Sequence, residues 1–218
     1  MKKILISGLL LGSISMVKAQ NLSLGPVVGV NHSWLTGTGD NKSFNPGLNI
    51  GGTLTYSFNP NWGVGGDLLF SMEGVRQRNE GSLSSTTRDA ALNFIRVQPK
   101  FYHFFGNLGD AVRPKIFVGG SLGFLTGGST KTTVASNNES ADVVTKTPSK
   151  DIYNGFDAGI LGGAGINWRL GKASWLTTDL VYNNGLVDLS KSNANWQASR
   201  SLSFNVGLTF PMGTVNPQ

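Results

Sequence analysis

Residues 200–210 read RSLSFNVGLTF, and from Leu202 onward the odd and even positions separate. Leu202, Phe204, Val206, Leu208 and Phe210 are large and apolar, whereas Ser201, Ser203, Asn205, Gly207 and Thr209 are small or polar. A β-strand turns successive side chains to opposite faces, so this segment has one apolar face and one hydrated face. In a soluble sheet the apolar face must meet another apolar face in a core. Whether the rest of the chain supplies that core decides the fold.

The same period of two recurs over residues 24–34, 47–58, 62–73, 92–105, 115–126, 152–168 and 174–184. In 47–58, Leu48, Ile50, Leu54, Tyr56 and Phe58 oppose Gly47, Asn49, Gly51, Thr53, Thr55 and Ser57. In 62–73, Trp62, Val64, Leu68, Phe70 and Met72 oppose Gly63, Gly65, Asp67, Ser71 and Glu73, and Leu69 interrupts the polar row. Rows of Gly, Ser, Thr, Asn and charge cannot build a dry core. Turned inward, the apolar rows would overfill an eight-stranded calyx and leave an outside nearly without charge. Apolar out and polar in fits better. The apolar faces then meet lipid, and the sheet must close, because an open edge cannot satisfy its backbone in hydrocarbon.

The connections between these segments alternate long and short. Outer-membrane barrels sort their connections this way, with short periplasmic turns and long extracellular loops. Asn59-Pro60-Asn61 and Leu170-Gly171-Lys172-Ala173 belong to the short set; residues 131–150, rich in Ser, Thr and Asn, belong to the long set. Phe58, Trp62, Phe104, Phe105, Trp168, Trp175 and Phe210 lie near the short turns. Trp34, Phe44, Phe70, Phe124, Tyr153, Phe156, Tyr182 and Trp196 lie near the long loops, giving two interfacial belts. The expected fold is all-β: an eight-stranded antiparallel up-and-down transmembrane β-barrel. Pro99 has no N–H for a ladder and predicts a bulge or break in the fourth strand.

The N-terminus reads as a cleaved signal peptide over residues 1–19. Lys2 and Lys3 open it, residues 4–16 are mostly apolar, and Val17-Lys18-Ala19 suits a signal peptidase. Residues 20–218 then form a single barrel domain. Of 18 basic residues, Lys2, Lys3 and Lys18 leave with the signal, so 15 face 12 acidic ones. They form no run, which argues against a nucleic-acid partner. The absence of Cys removes disulfides and thiolate metal sites.

On this phasing Asp67, Glu73, Asp157 and Asp179 point inward with Arg96, Lys100, Lys115 and, near the rim, Arg169. Four acids facing four bases read as a structural ion-pair network that fills the lumen. An eight-stranded barrel is just filled by side chains, so no diffusive pore is expected. His32 and His103 fall on the outward face, far apart, and no catalytic, cofactor or metal site can be assembled. Gly159 to Gly165, GILGGAG, has no following Gly-Lys-Ser/Thr and reads as close packing inside the barrel.

These residues resemble a known family. Gly29-Val30-Asn31, the run Pro99-Lys-Phe-Tyr-His-Phe-Phe-Gly, FDAGILGGAGINWRL from Phe156, DLVYNNGLVDL from Asp179 and the closing RSLSFNVGLTF are similar to the PorT-like outer-membrane β-barrels of Bacteroidetes. The resemblance covers the mature chain. It implies a barrel in the bacterial outer membrane, with no catalytic residues to carry over and a possible link to secretion. It also implies that the last strand, with Phe204, Leu208 and Phe210, is the signal read by the barrel-assembly machinery.

The expected role is a small integral outer-membrane protein, structural or acting through its surface loops in adhesion or partner docking. Its partners are outer-membrane lipid, the assembly machinery and an unidentified surface ligand. Two alternatives stand beside it: a secreted, soluble, lipocalin-like binder and an outer-membrane lipid-modifying enzyme.

Overall fold

The computed structural model describes residues 22–37, 42–43, 46–80, 84–107, 109–136, 143–171, 174–192 and 196–212. The expected signal segment 1–19, Phe44 and the residues after Met212 lie outside the described residues.

Among the described residues, eleven strands form one antiparallel sheet. They are β1 (Leu22–Leu35), β2 (Lys42–Ser43), β3 (Pro46–Ser57), β4 (Trp62–Glu80), β5 (Ser84–Phe104) and β6 (Val112–Gly127). After these come β7 (Ser129–Ser136), β8 (Val143–Pro148), β9 (Phe156–Arg169), β10 (Trp175–Gly185) and β11 (Ser199–Pro211). A single helical turn, α1 (Ser149–Ile152), follows β8. The pairing runs β2-β4-β3-β1-β11-β10-β9-β6-β5-β7-β8, and a further β4–β5 pairing closes a ring. That ring passes through eight strands: β1, β3, β4, β5, β6, β9, β10 and β11. The strand quoted first, β11, lies between β1 and β10, with Val206 opposite both Val28 and Thr178.

Closure gives each strand one face inside the ring and one outside, and the alternation decides which residues occupy each. The apolar rows face outward: Ile50 is 57% exposed, Leu68 58%, Val118 62% and Phe204 49%. The polar rows face inward and are buried, Asn31, Asn49, Asp67, Arg96 and Asp157 among them. This is the inverse of a soluble core, where such apolar residues would be the buried ones.

Two expectations from the sequence are corrected, and a third is met on one side of its strand. First, the long connection expected between the third and fourth strands is mostly strand. β4 and β5 span 19 and 21 residues and pair from Trp62↔His103 to Glu80↔Ser85. About 9–11 residues suffice to cross a bilayer, so this hairpin outruns the apolar band. Its outward apolar row ends at Met72, and Gly74, Arg76 and Arg78 continue it. The outer row there is polar and the inner row apolar at Val75, Ala90 and Leu92, the reverse of the phasing in the apolar band, which is why it read as loop.

Second, most of the described residues of the segment 131–150 are strand, not loop. β7 and β8 pair with each other, and β7 adds to the distal part of β5, with Thr130 opposite Ala90 and Lys131 opposite Asp89. Its Thr and Val residues have strand propensity that the Ser and Asn content masked.

Third, Pro99 interrupts the ladder on one side only, the local break that its missing N–H predicts. Pro99 pairs with Gly66 on β4, and the β5–β6 register is the same at Val97↔Leu122 and Lys100↔Gly119. Only the rungs between them drop out, beside Gly120, which leaves space for the ring. The register itself shifts at Asn93/Phe94, where β5 passes from β6 to β7. Gly128 makes that corner with φ +124°, and a Cβ there would lie 2.0 Å from the Ala91 carbonyl oxygen.

Candidate functional site

The inside of the ring is best followed along β5. From the hairpin end its inward row reads Ala90, Leu92, Phe94, Arg96, Gln98, Lys100, Tyr102 and Phe104, all buried. The row is apolar, then charged, then aromatic, and the ring is organised in the same three layers.

At the hairpin end Leu35, Val75, Ala90, Leu92, Phe94, Leu125, Tyr153 and Leu189 pack into an apolar plug. Tyr153, expected in an interfacial belt, sits in this plug at 3% exposure, and burial raises its hydroxyl pKa. At the short-turn end Tyr102, Phe104, Phe117, Leu161 and Val181 form a second cluster. Phe104 also leaves the expected belt, because its even position on β5 turns it inward. Trp175 does so too and lines an interior cavity.

Between these layers lie the predicted charges. Arg96 donates to Glu73 through Nε (2.5 Å) and Nη2 (2.9 Å), to Asp157 Oδ2 through Nη2 (2.9 Å) and to Ser121 through Nη1 (3.3 Å). Its guanidinium also lies 4.6 Å from the centre of the Phe94 ring. Lys100 pairs with Asp67 and sits over Phe117. Lys115 pairs with Asp179 (2.9 Å) and donates to Thr177 (2.6 Å). Each acid is met by a base from another strand, and burial without such partners would be costly. Arg169, expected near the rim, is exposed at the end of β9, with its guanidinium 5.4 Å from the Trp175 ring centre.

Two glycines of GILGGAG, Gly163 and Gly165, are spaces for this network and the Phe117 ring beneath it. A Cβ on Gly163 would lie 2.5 Å from Phe117 Cζ, and one on Gly165 would lie 2.0 Å from Asp179 Oδ1. Gly123 makes the same allowance for Arg96.

Two interior features are absent from the sequence reading. One is an amide ladder: Asn31 Nδ2 donates to Asn49 Oδ1 (2.8 Å), which also accepts from Ser71 (2.8 Å), and Asn49 Nδ2 donates to Asn205 Oδ1 (3.2 Å). Alternation places each Asn inside, but only the register brings four strands' residues together. The other is Arg113, which is 5% exposed at the start of β6. Its odd position puts it in the row of Lys115, a signal that was available in the sequence.

Phe204, Leu208 and Phe210 all belong to the outward row of β11. His32 and His103 flank outward aromatics, 5.5 Å from Trp34 and 4.3 Å from Trp62 between ring centres.

An outward apolar surface around a closed, ion-paired interior is the arrangement of a protein immersed in lipid. A family model described as outer membrane protein beta-barrel domain matches residues 18–191. The chain belongs to this family. Neisserial surface protein A is similar in structure at 11% identity, covering 88% of this chain and 97% of its own, with a TM-score of 0.50. The N-terminal β-barrel domain of Pseudomonas aeruginosa OprF follows at 12% identity, 88% and 98% coverage and 0.42. Escherichia coli outer membrane protein W gives 13%, 90%, 100% and 0.44. At these identities the likeness is one of fold. No curated protein matches the sequence. The match defines an outer-membrane β-barrel protein, a coarser group than the PorT-like barrels.

Proposed function

We propose that this chain is an eight-stranded transmembrane barrel, exported behind the signal 1–19, whose activity lies in the β-sheet that rises beyond the bilayer. The single observation that supports this most is the filled interior. Arg96 with Glu73 and Asp157 occupies the middle, and the Phe94–Leu189 plug covers it toward the hairpins. A ring so filled has no path for solute, which leaves the outside as the working surface.

The extended hairpin β4–β5 and the added β7 and β8 offer that surface. Arg76, Asp89, Lys131 and Lys146 are successive cross-strand neighbours on one face. Arg76 pairs with Asp89 at 2.5 Å, and Lys131 faces Lys146 directly. Adjacent like charges on an exposed sheet are unfavourable alone and are relieved by an anionic partner. The reading is therefore docking of an acidic surface or polymer on the extracellular hairpins. The end of the ring that carries Phe58, Phe105 and Leu170 then faces the periplasm.

Both histidines lie among outward aromatics, away from the interior charges, which favours docking over catalysis. The test combines outer-membrane fractionation, an unboiled gel and binding of an acidic polysaccharide such as heparin. The proposed protein partitions with the outer membrane, migrates differently when unboiled and loses heparin retention when Lys131 and Lys146 become Glu. Export as a detergent-free soluble protein overturns the membrane reading in favour of the lipocalin-like one. Unchanged retention in the charge-reversed variant overturns the docking reading alone.

A further inference from the structure

At the short-turn end of the ring, below the Lys100–Asp67 pair, lies a cavity of about 150 Å³. Pockets for drug-sized molecules start at about 300 Å³, so this one suits a ligand of a few heavy atoms. Its wall differs from the apolar plug at the opposite end. Hydroxyls of Thr55, Ser57 and Thr177, the Asn167 amide and the cations Arg113 and Lys115 line it.

Two polar atoms in that wall have no hydrogen-bond partner: Arg113 Nε and Asn167 Oδ1. Arg113 on β6 and Asn167 on β9 are direct cross-strand neighbours, so the two side chains stand together on the inner face. The Arg113 guanidinium is otherwise fixed. It lies 5.2 Å from the Phe104 ring centre, and its Nη2 donates to the Pro60 carbonyl. One unmet atom is a charged donor and the other an acceptor, and buried groups of either kind are costly to leave unmet.

A group that accepts from the guanidinium and donates to the amide oxygen satisfies both at once. Hydrogenphosphate does so, with P–O⁻ toward Arg113 and P–OH toward Asn167. Sulfate near neutral pH has only acceptors and no proton to offer Asn167. We propose that this cavity binds a free protonated oxyanion, inorganic phosphate being the simplest, between Arg113 and Asn167. Arg113, Lys115 and Arg169 outweigh Asp110 and Asp179 in the surrounding charge, so an anion is drawn in. The interior beyond it is occupied by the buried Lys100–Asp67 pair and Phe117, so the cavity serves as a blind site. It does not depend on what the hairpins dock, and in the orientation proposed above it faces the periplasm.

The full-length protein, folded in detergent without lipid and checked on an unboiled gel, is titrated with sodium phosphate by calorimetry. A parallel titration uses sodium sulfate at equal ionic strength. The expected result is saturable phosphate binding at least about tenfold tighter than sulfate binding. Arg113→Gln weakens phosphate by about tenfold or more, as loss of a charge-assisted bond requires. Ser57→Leu, which places bulk in the cavity and leaves Arg113 untouched, does the same and decides the matter where Arg113→Gln fails to fold. Absence of saturable phosphate binding overturns the proposal, as does wild-type affinity in either folded variant. Equal affinity for sulfate marks an unselective anion site and overturns the assignment of a protonated ligand.

Discussion

Arg96 on β5 and Glu73 on β4 form a two-pronged ion pair, 2.5 and 2.9 Å, with both side chains 3% exposed. Asp157, arriving from β9, shares the same guanidinium at 2.9 Å. One arginine thus ties two carboxylates from opposite parts of the sequence across the inside of the ring.

Replacing Arg96 with Met leaves both carboxylates buried without their cation. Breaking one side of a buried pair costs about 3–5 kcal/mol. The expected outcome is a lower urea midpoint for the unboiled, fast-migrating form in lipid vesicles. Adding Glu73→Gln and Asp157→Asn removes the orphaned charges and recovers part of the loss. An unchanged midpoint in Arg96→Met would show that the pair does not hold the ring.

The amide ladder makes a smaller claim. Asn49→Ala on β3 strips partners from Asn31, Ser71 and Asn205 on three other strands. A buried polar group left unmet costs about 1–3 kcal/mol, and these groups have other acceptors in part. Asn31 Nδ2, for example, also donates to the Met72 carbonyl at 3.1 Å. A loss of that size in the same urea measurement is expected, below that of Arg96→Met; a larger loss would reverse the ranking of the two networks.

The inward and outward rows were legible because a period of two is a local property, visible within ten residues. The charges Asp67, Glu73, Arg96, Lys100, Lys115, Asp157 and Asp179 fell on the inner face for that reason. Which acid meets which base was not legible, since Arg96 joins residues 23 and 61 positions away through a register the sequence does not print. The extracellular sheet was missed for a different reason. Arg76, Arg78 and Asp89 occupy the outer row and the apolar inner row opposite them is short, so β4 and β5 appeared to stop at the hydrocarbon edge. Pro99 was legible because its missing donor removes the rungs toward β6, beside Gly120; that the pairing with β4 holds was not.

Lipid contact has its own test. Ile50 is outward, mid-strand on β3, between Val28 and Phe70 on its neighbours. Arg at the bilayer midplane of such a barrel costs about 2–4 kcal/mol. Ile50→Arg should therefore lower the urea midpoint in vesicles, while Thr133→Arg on β7 changes stability by no more than about 0.5 kcal/mol. Equal effects would place Ile50 in water.

Neighbouring glycines of β9 should differ as sharply. Gly165 faces inward, where a Cβ meets Asp179 Oδ1 at 2.0 Å and Lys115 Cε at 3.0 Å; Gly162 faces outward, its nearest neighbour 3.7 Å away. Gly165→Ala forces the Lys115–Asp179 pair apart and should cost about 1–3 kcal/mol, as overpacking does. Gly162→Ala should be close to neutral in the same urea series. Similar losses for the two would mean that the inner space is not needed.

Removal of the β7–β8 hairpin depends on where the cut is made. A deletion of 131–150 would take Ser149, which is fully buried, donates to the Ala91 carbonyl at 2.8 Å and contacts Thr130 Oγ1 at 3.2 Å. It would also disturb Tyr153, whose backbone N–H donates to the Ser149 carbonyl at 2.9 Å and whose ring fills the plug. A shorter excision avoids both. Replacing residues 133–144 by Asn-Gly joins Thr132 to Thr145, which already face each other in the ladder, through a turn suited to a two-residue hairpin. The shortened protein should keep its gel shift and its urea midpoint within about 0.5 kcal/mol. It should also keep most heparin retention, because Lys131 and Lys146 remain in register. The 131–150 deletion should lose the midpoint and the retention together. If the shorter excision already unfolds the ring, the hairpin is part of the fold and not a surface added to it.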